Sequence, residues 1–309
     1  MIDKIFHNLR DLPSEHVLDS GTPMCAGCGG LAAIHQLYDI LGERSVFVNA
    51  AGCMTLLSVY PFTPFRGSWL YTSMSSAAAG AQGIVDALEI LARKNPASSS
   101  GRMKVIVLAG DGSSYGMGLS ATSAAIDRNL DFIYVCYDNE GYGNTGQQYS
   151  AATPYGAKTS TSKGPSGYFG NKKDLFAIWA ANQPNYAATI IGAEPLDLAR
   201  KVKKAAECKG PALLLCLSPC PTGWGYDPSL SIEIGKMAVQ TGIWPLKEYL
   251  HEEIIHNKIP RPRPPVERYL RLQSRFSHLF NPTLNTPMLN AIQSRVDAYW
   301  EKVISQEGA

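Results

Sequence analysis

The stretch that most narrows the fold of this 309-residue chain spans residues 105–146, VIVLAGDGSSYGMGLSATSAAIDRNLDFIYVCYDNEGYGNTG. Residues 105–109 are a short apolar run stopped by Gly110, the pattern of a strand buried on both faces of a parallel sheet. The run ends in Gly110-Asp111-Gly112. Alanines and leucine across 116–128 predict a helix. Residues 131–137 predict a second buried strand, ending in Asp138-Asn139-Glu140-Gly141. Polar residues and glycines therefore gather where both strands end, and open parallel sheets bind ligands outside those carboxyl ends.

The residue types at these ends suggest a metal-bound diphosphate. Asp111 offers a hard carboxylate oxygen, Asn139 an amide oxygen one strand over, and Gly141 a nearby carbonyl. Such oxygens suit Mg²⁺, which also takes phosphate oxygens and water. A helix starting near Ser114 points free N–H groups at the same phosphates. Gly110 and Gly112 permit a sharp turn and close backbone approach. A lone Gly-Asp-Gly is usually an ordinary turn. Its coupling to a second strand ending in Asn139 is what points to chemistry.

Composition sets outer bounds. With 45% hydrophobic and 17% charged residues, the chain reads as globular, with much buried or interfacial surface. Its length allows one large domain or two. A net charge of +2 excludes nothing by itself, while the lack of a dense basic patch argues against nucleic-acid binding. No apolar run is long enough to span a membrane. The N-terminal MIDKIFHNLRDL lacks the apolar core of a signal peptide, so a cytoplasmic protein is expected. Seven cysteines then read as metal or redox sites rather than disulfides.

Residues 1–20 read as an arm, with Phe6, Leu9 and Leu12 on one or two helical turns before Pro13. A Gly-rich loop carrying Cys25 and Cys28 follows, then a helix over 31–41 and a strand over 45–50 ending near Cys53. Residues 54–72, rich in aromatics and prolines, read as a loop crossing the sheet top, with Arg66 in it as either a surface or a substrate-facing arginine. A small-residue helix (74–94), a polar linker (96–101), the central unit and a long polar loop after Gly146 come next. Helices over 173–182 and 195–208 alternate with strands over 186–191 and 212–217, the last ending in Ser218-Pro219-Cys220. This alternation predicts a doubly wound α/β domain with a parallel sheet over 21–225. Residues 226–309 read as a C-terminal extension. It has a stiff PRPRPP linker at 260–265, an amphipathic helix over 266–280 and another over 287–305, and is expected to wrap a partner subunit.

Cys25-x-x-Cys28 alone fits zinc, a redox dithiol or an iron–sulfur cluster. No thioredoxin-like unit precedes it. No second cysteine or histidine pair accompanies it, since the histidines are scattered at 7, 16, 35, 251, 256 and 278. That leaves a four-thiolate iron–sulfur cluster as one candidate, with Cys53 and Cys220 at strand ends where the chain can bring them beside the Cys25 loop. Cys136, Cys208 and Cys216 read as small packed residues, His35 as structural, and Asp127 and Arg128 as a solvated helix end.

Several motifs together resemble a known family. These are CAGCG, AAGC, GDG with DNEGYGNTG, ATPYGA, LSPC and PCPTGWGYDPS. They are similar to the β subunit of the 2-oxoacid:ferredoxin oxidoreductases, the pyruvate:ferredoxin oxidoreductase (pyruvate synthase) type, and the likeness covers most of the chain. The resemblance implies the diphosphate-binding fold of thiamine enzymes. It implies thiamine diphosphate held through Mg²⁺ by Asp111, Asn139 and the Gly141 carbonyl, with Gly110 and Gly112 alongside. Asn144 would stand by the thiazolium and substrate as the catalytic residue, and Thr145 near phosphate. Cys25, Cys28, Cys53 and Cys220 would hold one [4Fe–4S] cluster, Cys53 lying beside the cofactor as well. The implied activity is oxidative decarboxylation of a small 2-oxo acid, with electrons passing to ferredoxin. Partner subunits would supply the glutamate that activates the cofactor. Pyruvate with CoA is one substrate reading. Because SGTPMC and YTSMSSAAAG depart from the pyruvate pattern, oxalate without CoA is the other. A non-catalytic electron-transfer subunit and an unrelated nucleotide-binding domain complete the alternatives.

Overall fold

A computed structural model describes residues 5–95, 103–165 and 167–307. The linker expected at 96–101 lies outside the described residues. The first half of the chain forms α1 (Gly29–Leu41), β1 (Ser45–Ala50), β2 (Ser68–Thr72), α2 (Ala77–Lys94), β3 (Lys104–Gly110), α3 (Leu119–Asp127) and β4 (Ile133–Asp138). After a long loop come α4 (Leu175–Ala181), β5 (Tyr186–Ile191), α5 (Pro195–Glu207), β6 (Ala212–Leu217), α6 (Pro221–Trp224) and α7 (Ser231–Gln240). The last quarter adds β7 (Lys247–Leu250), β8 (Glu253–His256), α8 (Val266–Arg271) and α9 (Thr286–Glu307).

The eight strands of the described residues join one sheet in the order β2-β1-β3-β4-β6-β5-β7-β8. The first six are parallel; β7 and β8 add antiparallel to the β5 edge. Continuous apolar strands suit burial on two faces, and alternate residues go to opposite cores. Val105, Val107 and Ala109 of β3 pack with Ala78 and Ala81 of α2 and Ile126 of α3. Ile106 and Leu108 pack with Ile34 and Leu37 of α1 and Leu198 and Val202 of α5. The expected doubly wound α/β architecture is what the sheet shows.

Four local readings change. Within 54–72 the chain makes a 3-10 turn (Cys53–Ser58) and then an edge strand, β2. That strand has three exposed residues of five, so it lacks the buried-strand signature. Because β2 runs parallel to β1, the loop must return to the amino edge before β2 begins. Arg66 is therefore at the opposite end from the sheet top, paired with Asp19 at 2.6 Å and Glu43 at 2.9 Å. The helix expected over 116–128 starts as a π-turn over Gly112–Met117 and becomes α-helical only at Leu119. The helix expected over 266–280 breaks at Gln273, whose extended backbone separates α8 from a 3-10 turn over Ser274–Leu279. The buried Gln273 side chain donates to the Tyr269 carbonyl (2.9 Å) and accepts from Arg275 Nε (2.9 Å), so the break aims Arg275 inward. Among its described residues the arm carries only a 3-10 turn, Leu9–Asp11, with Phe6 buried and Leu9 exposed.

Residues beyond 225 share the main core: Trp244, Leu246, Tyr269, Phe276 and Met288 pack in the cluster that contains Val107 and Tyr134. Among the described residues, no helix is long and apolar enough to cross a membrane.

Candidate active site

The chain leaves β1 outward to β2 and comes back on the other side of β1 as β3. This reversal opens a crevice at the carboxyl ends. Cys53 follows β1, Asp111 follows β3, Asn139 follows β4 and Cys220 follows β6. A cleft of ≈ 370 Å³ lies there, lined by Cys53, Gly110, Asp111, Asn139, Gly141 and Asn144. Gly112 and Thr145 also face it. A methyl on Gly112 would fall 2.1 Å from the Tyr142 ring, so only glycine lets this loop lie against the next.

Three oxygens converge in the cleft. The Asn139 side-chain oxygen stands 2.8 Å from Asp111 Oδ1 and 2.6 Å from the Gly141 carbonyl, three acceptors with no donor among them. A half-turn of the amide would make both contacts hydrogen bonds. With the amide oxygen turned inward, the same positions are spaced close to neighbouring ligands of an octahedral ion. Oxygens at ~2.0–2.1 Å from Mg²⁺ are about 2.9 Å apart. Burial, and then the Asp138 carboxylate, push the Asp111 pKa well up. A cation held here would oppose both effects. The Ser150 hydroxyl donates to Asp111 Oδ2, and the Trp224 indole N–H holds the Asn139 carbonyl at 2.8 Å. Ser114 sits within the π-turn, its hydroxyl 3.1 Å from that of Tyr134 in the core. The Thr145 hydroxyl donates to the Tyr142 carbonyl of its own loop (3.3 Å).

Beneath this loop lies a buried ionic network that the sequence reading missed. Lys172 Nζ reaches Asp138 Oδ2 (2.6 Å) and Glu140 Oε1 (2.9 Å), and Arg275 Nη2 reaches Glu140 Oε2 (2.6 Å). The Tyr115 hydroxyl donates to Asp138 Oδ2 (2.6 Å), and the Arg275 guanidinium lies 4.0 Å from the centre of the Trp224 ring. Glu140 takes a left-handed backbone, φ 63°, rare for a residue with a side chain. The ion pairs and the Thr153 hydroxyl on its carbonyl (3.0 Å) hold it there. Burial alone would raise the Glu140 pKa, but Lys172 and Arg275 bring it below the usual value. Two acids at one buried strand end were the available signal, since such charges need buried partners.

The four predicted cysteines surround a second, smaller cavity of ≈ 160 Å³. Cys28 Sγ accepts from the Leu31 N–H (3.4 Å) and Cys220 Sγ from the Gly223 N–H (3.3 Å), each at a helix start. Burial, followed by the neighbouring cysteines, pushes Cys53 up to about 12; burial pushes Cys28 up to about 11. Bound metal would be needed to keep such thiols ionised. Among the described residues, the four sulfurs contribute no set of three within 4.8 Å of one another. Cys136 and Cys216 are buried and Cys208 half-buried, and none of the three lines this cavity.

The two cavities share a wall. Cys53, Tyr137, Asn139, Gly143 and Asn144 line both. Asn139 Nδ2 stands 3.8 Å from Cys53 Sγ across it.

Residues 50–216 match the family model "Thiamine pyrophosphate enzyme, C-terminal TPP binding domain". The pyruvate synthase subunit PorB of Methanocaldococcus jannaschii is 41% identical over 88% of this chain and 92% of its own length. That of Methanosarcina barkeri is 40% identical over 91% and 94%. The ketoisovalerate oxidoreductase subunit VorB of Pyrococcus furiosus is 34% identical over 94% of each. Among solved structures, 2-oxoglutarate:ferredoxin oxidoreductase from Magnetococcus marinus superposes with a TM-score of 0.56. It covers 75% of this chain and 82% of that one at 21% identity, a likeness of fold.

Proposed function

The chain belongs to the 2-oxoacid:ferredoxin oxidoreductase family, and on that premise we propose that it is the thiamine diphosphate- and cluster-binding subunit of a cytoplasmic pyruvate:ferredoxin oxidoreductase. With its partner subunits it would convert pyruvate and CoA to acetyl-CoA and CO₂, reducing ferredoxin. The observation that carries this reading is the shared wall, which puts an oxygen-lined cleft directly beside a cysteine-lined cavity.

Asp111, Asn139 and the Gly141 carbonyl are the residues to hold Mg²⁺ and, through it, the diphosphate. Gly110 and Gly112 keep the backbone out of the way. When bound, thiamine diphosphate supplies the electron sink for decarboxylation. Asn144, exposed on the shared wall, is the residue of this chain best placed to orient substrate. Thr145 positions the same loop. Cys25, Cys28, Cys53 and Cys220 are the thiolates for one [4Fe–4S] cluster, with the Leu31 and Gly223 N–H groups stabilising sulfur charge. A partner subunit brings the glutamate for the pyrimidine side, and the C-terminal extension is the stretch expected to wrap it.

Pyruvate is favoured over oxalate because relatives at 40–41% identity are named pyruvate synthase subunits. The test is anaerobic purification with the co-expressed partners. Iron, sulfide and thiamine diphosphate are assayed, then ferredoxin reduction with pyruvate plus CoA, 2-oxoisovalerate and oxalate. About four irons in this chain, bound thiamine diphosphate and pyruvate-dependent reduction are expected. Zinc in place of iron would sink the cluster assignment. Reduction only by oxalate without CoA would overturn the substrate.

A further inference from the structure

A second constellation of metal-binding side chains lies outside the lining of the cleft, with His35 in a neighbouring cavity that Cys25 and Cys28 also line. Among the described residues, one set of three histidine, cysteine or acidic groups has its ligand atoms all within 4.8 Å of one another: His16, His35 and Asp39. His16 comes from the N-terminal arm. His35 and Asp39 are one turn apart on α1 and so share a face. The fold thus joins two histidines that look scattered in sequence.

The three ligand atoms lie within 4.8 Å of one another, close enough to meet one ion after a small adjustment, although His16 Nδ1 and Asp39 Oδ2 now share a 2.8 Å hydrogen bond. The buried Asp39 carboxylate divides its oxygens: Oδ1 accepts from the Val17 N–H (2.8 Å), which fixes the carboxylate. Oδ2 faces both rings, 2.8 Å from His16 Nδ1 and 3.6 Å from His35 Nε2. His35 Nε2 is buried and makes no hydrogen bond, so a strongly polar atom is left facing an acceptor it does not reach. A zinc ion with ligands at ~2.0–2.1 Å in tetrahedral geometry separates its ligand atoms by about 3.4 Å. The His35–Asp39 gap matches that separation, and the His16 contact opens to it by a small ring movement. His16 is 62% exposed, so water can complete the coordination sphere.

We propose that His16, His35 and Asp39 form a binding site for one divalent transition-metal ion, zinc by its donor set, that clamps the N-terminal arm to α1. Two imidazoles and a carboxylate suit zinc, with a fourth position left for water. The Val17 N–H is the outer contact that orients the carboxylate. The arm is already laid along this side of the molecule. Phe6 is buried, the Phe6 carbonyl accepts from Arg200 Nε (2.8 Å), and the Asp19 N–H donates to the Pro64 carbonyl (2.9 Å). A metal would tie down its middle. This site is independent of the cofactor assignment above.

The test uses the assembled protein, cluster intact, dialysed against a chelator and then loaded with zinc. Zinc and iron are counted by elemental analysis, and zinc-edge X-ray absorption reports its ligands. About one zinc per chain with nitrogen and oxygen neighbours, unchanged iron and a raised Tm are expected. H16N and H35Q should weaken zinc binding by at least the roughly 10–100-fold that outer-sphere partners are worth, with iron content kept. Sulfur neighbours at the zinc would mean the ion sits among the cysteines, and would overturn the proposal. So would zinc binding unaffected by both variants, or no retained zinc in the wild type. The absorption measurement needs no variant, so misfolding of H16N or H35Q would not shelter the idea.

Discussion

Replacing Glu140 by Gln should destabilise the protein severely, although Glu140 is not placed to touch substrate. The carboxylate bridges two cations, Lys172 at 2.9 Å and Arg275 at 2.6 Å, with Glu140 and Arg275 both more than nine-tenths buried. At an effective dielectric of about 20, unit charges ~4 Å apart attract by about 4 kcal/mol. Desolvation already offsets much of that in the wild type. Removing one partner leaves the other charge buried without compensation, at a cost of about 3–5 kcal/mol. Glutamine also loses the charge that helps hold residue 140 at φ 63°. On a scale of about 2 °C per kcal/mol for a chain this large, Tm should fall by about 6–10 °C. The assay is thermal unfolding of the assembled protein, followed by circular dichroism at fixed concentration. A companion variant carrying both E140Q and R275M removes the stranded cation. It should recover part of the loss, so the two substitutions should be non-additive. A Tm for E140Q within about 1–2 °C of wild type, or strict additivity in the double variant, would refute the reasoning.

The same network sets an acid limb. Glu140 is held below its usual pKa by Lys172 and Arg275, so its stabilisation is complete above the unfolded value near ~4.3 and is lost as pH falls through the lower folded value. Asp111 and Asp138, raised by burial, act in the opposite sense, so the wild-type minus E140Q difference in Tm against pH isolates the Glu140 contribution and should shrink on acidification. Serine at Cys25, Cys28, Cys53 or Cys220 should each lower bound iron, whereas alanine at Cys136 or Cys216 should leave it unchanged; equal iron loss across both groups would contradict the cavity assignment. S150A removes the hydroxyl that orients Asp111, and calorimetry should show Mg²⁺-dependent thiamine diphosphate binding weakened about 10–100-fold. N144A should lower kcat while leaving cofactor affinity within about threefold, because Asn144 faces the shared wall and lies outside the oxygen set; a fall in cofactor affinity alone would reassign it.

Much of this was legible because a parallel strand buried on both faces is a local signal. The apolar runs at 105–109 and 212–217 give strands whatever surrounds them, and the glycines, acids and cysteines at their ends need little tertiary information to be noticed. What escaped was non-local. β2 has only one neighbouring strand and faces solvent, so SWLYT carries no burial pattern, and its pairing with β1 decides it. Arg66 was placed at the wrong end of the sheet for the same reason. The break at Gln273 depends on Glu140, which lies far away in sequence and draws Arg275 inward. Helical periodicity over 266–280 cannot register that pull. The pairing of His16 with His35 likewise exists only after the arm docks on α1.

Arg275 has a consequence in time as well as in space. A chain is made from its N-terminus, and its early segments can begin to fold before its late ones exist. β3, β4 and the loop between Asp138 and Gly146 emerge with two buried acids. One of their counter-charges, Arg275, is still unmade, and so is Trp224, which anchors the Asn139 carbonyl. Until the last quarter of the chain has arrived, the cleft has its residues but not their fixed arrangement. A nascent subunit should therefore be a poor trap for metal or cofactor. Loading then becomes an event of the finished chain, and a ribosome-bound fragment ending before residue 275 should fail to retain either.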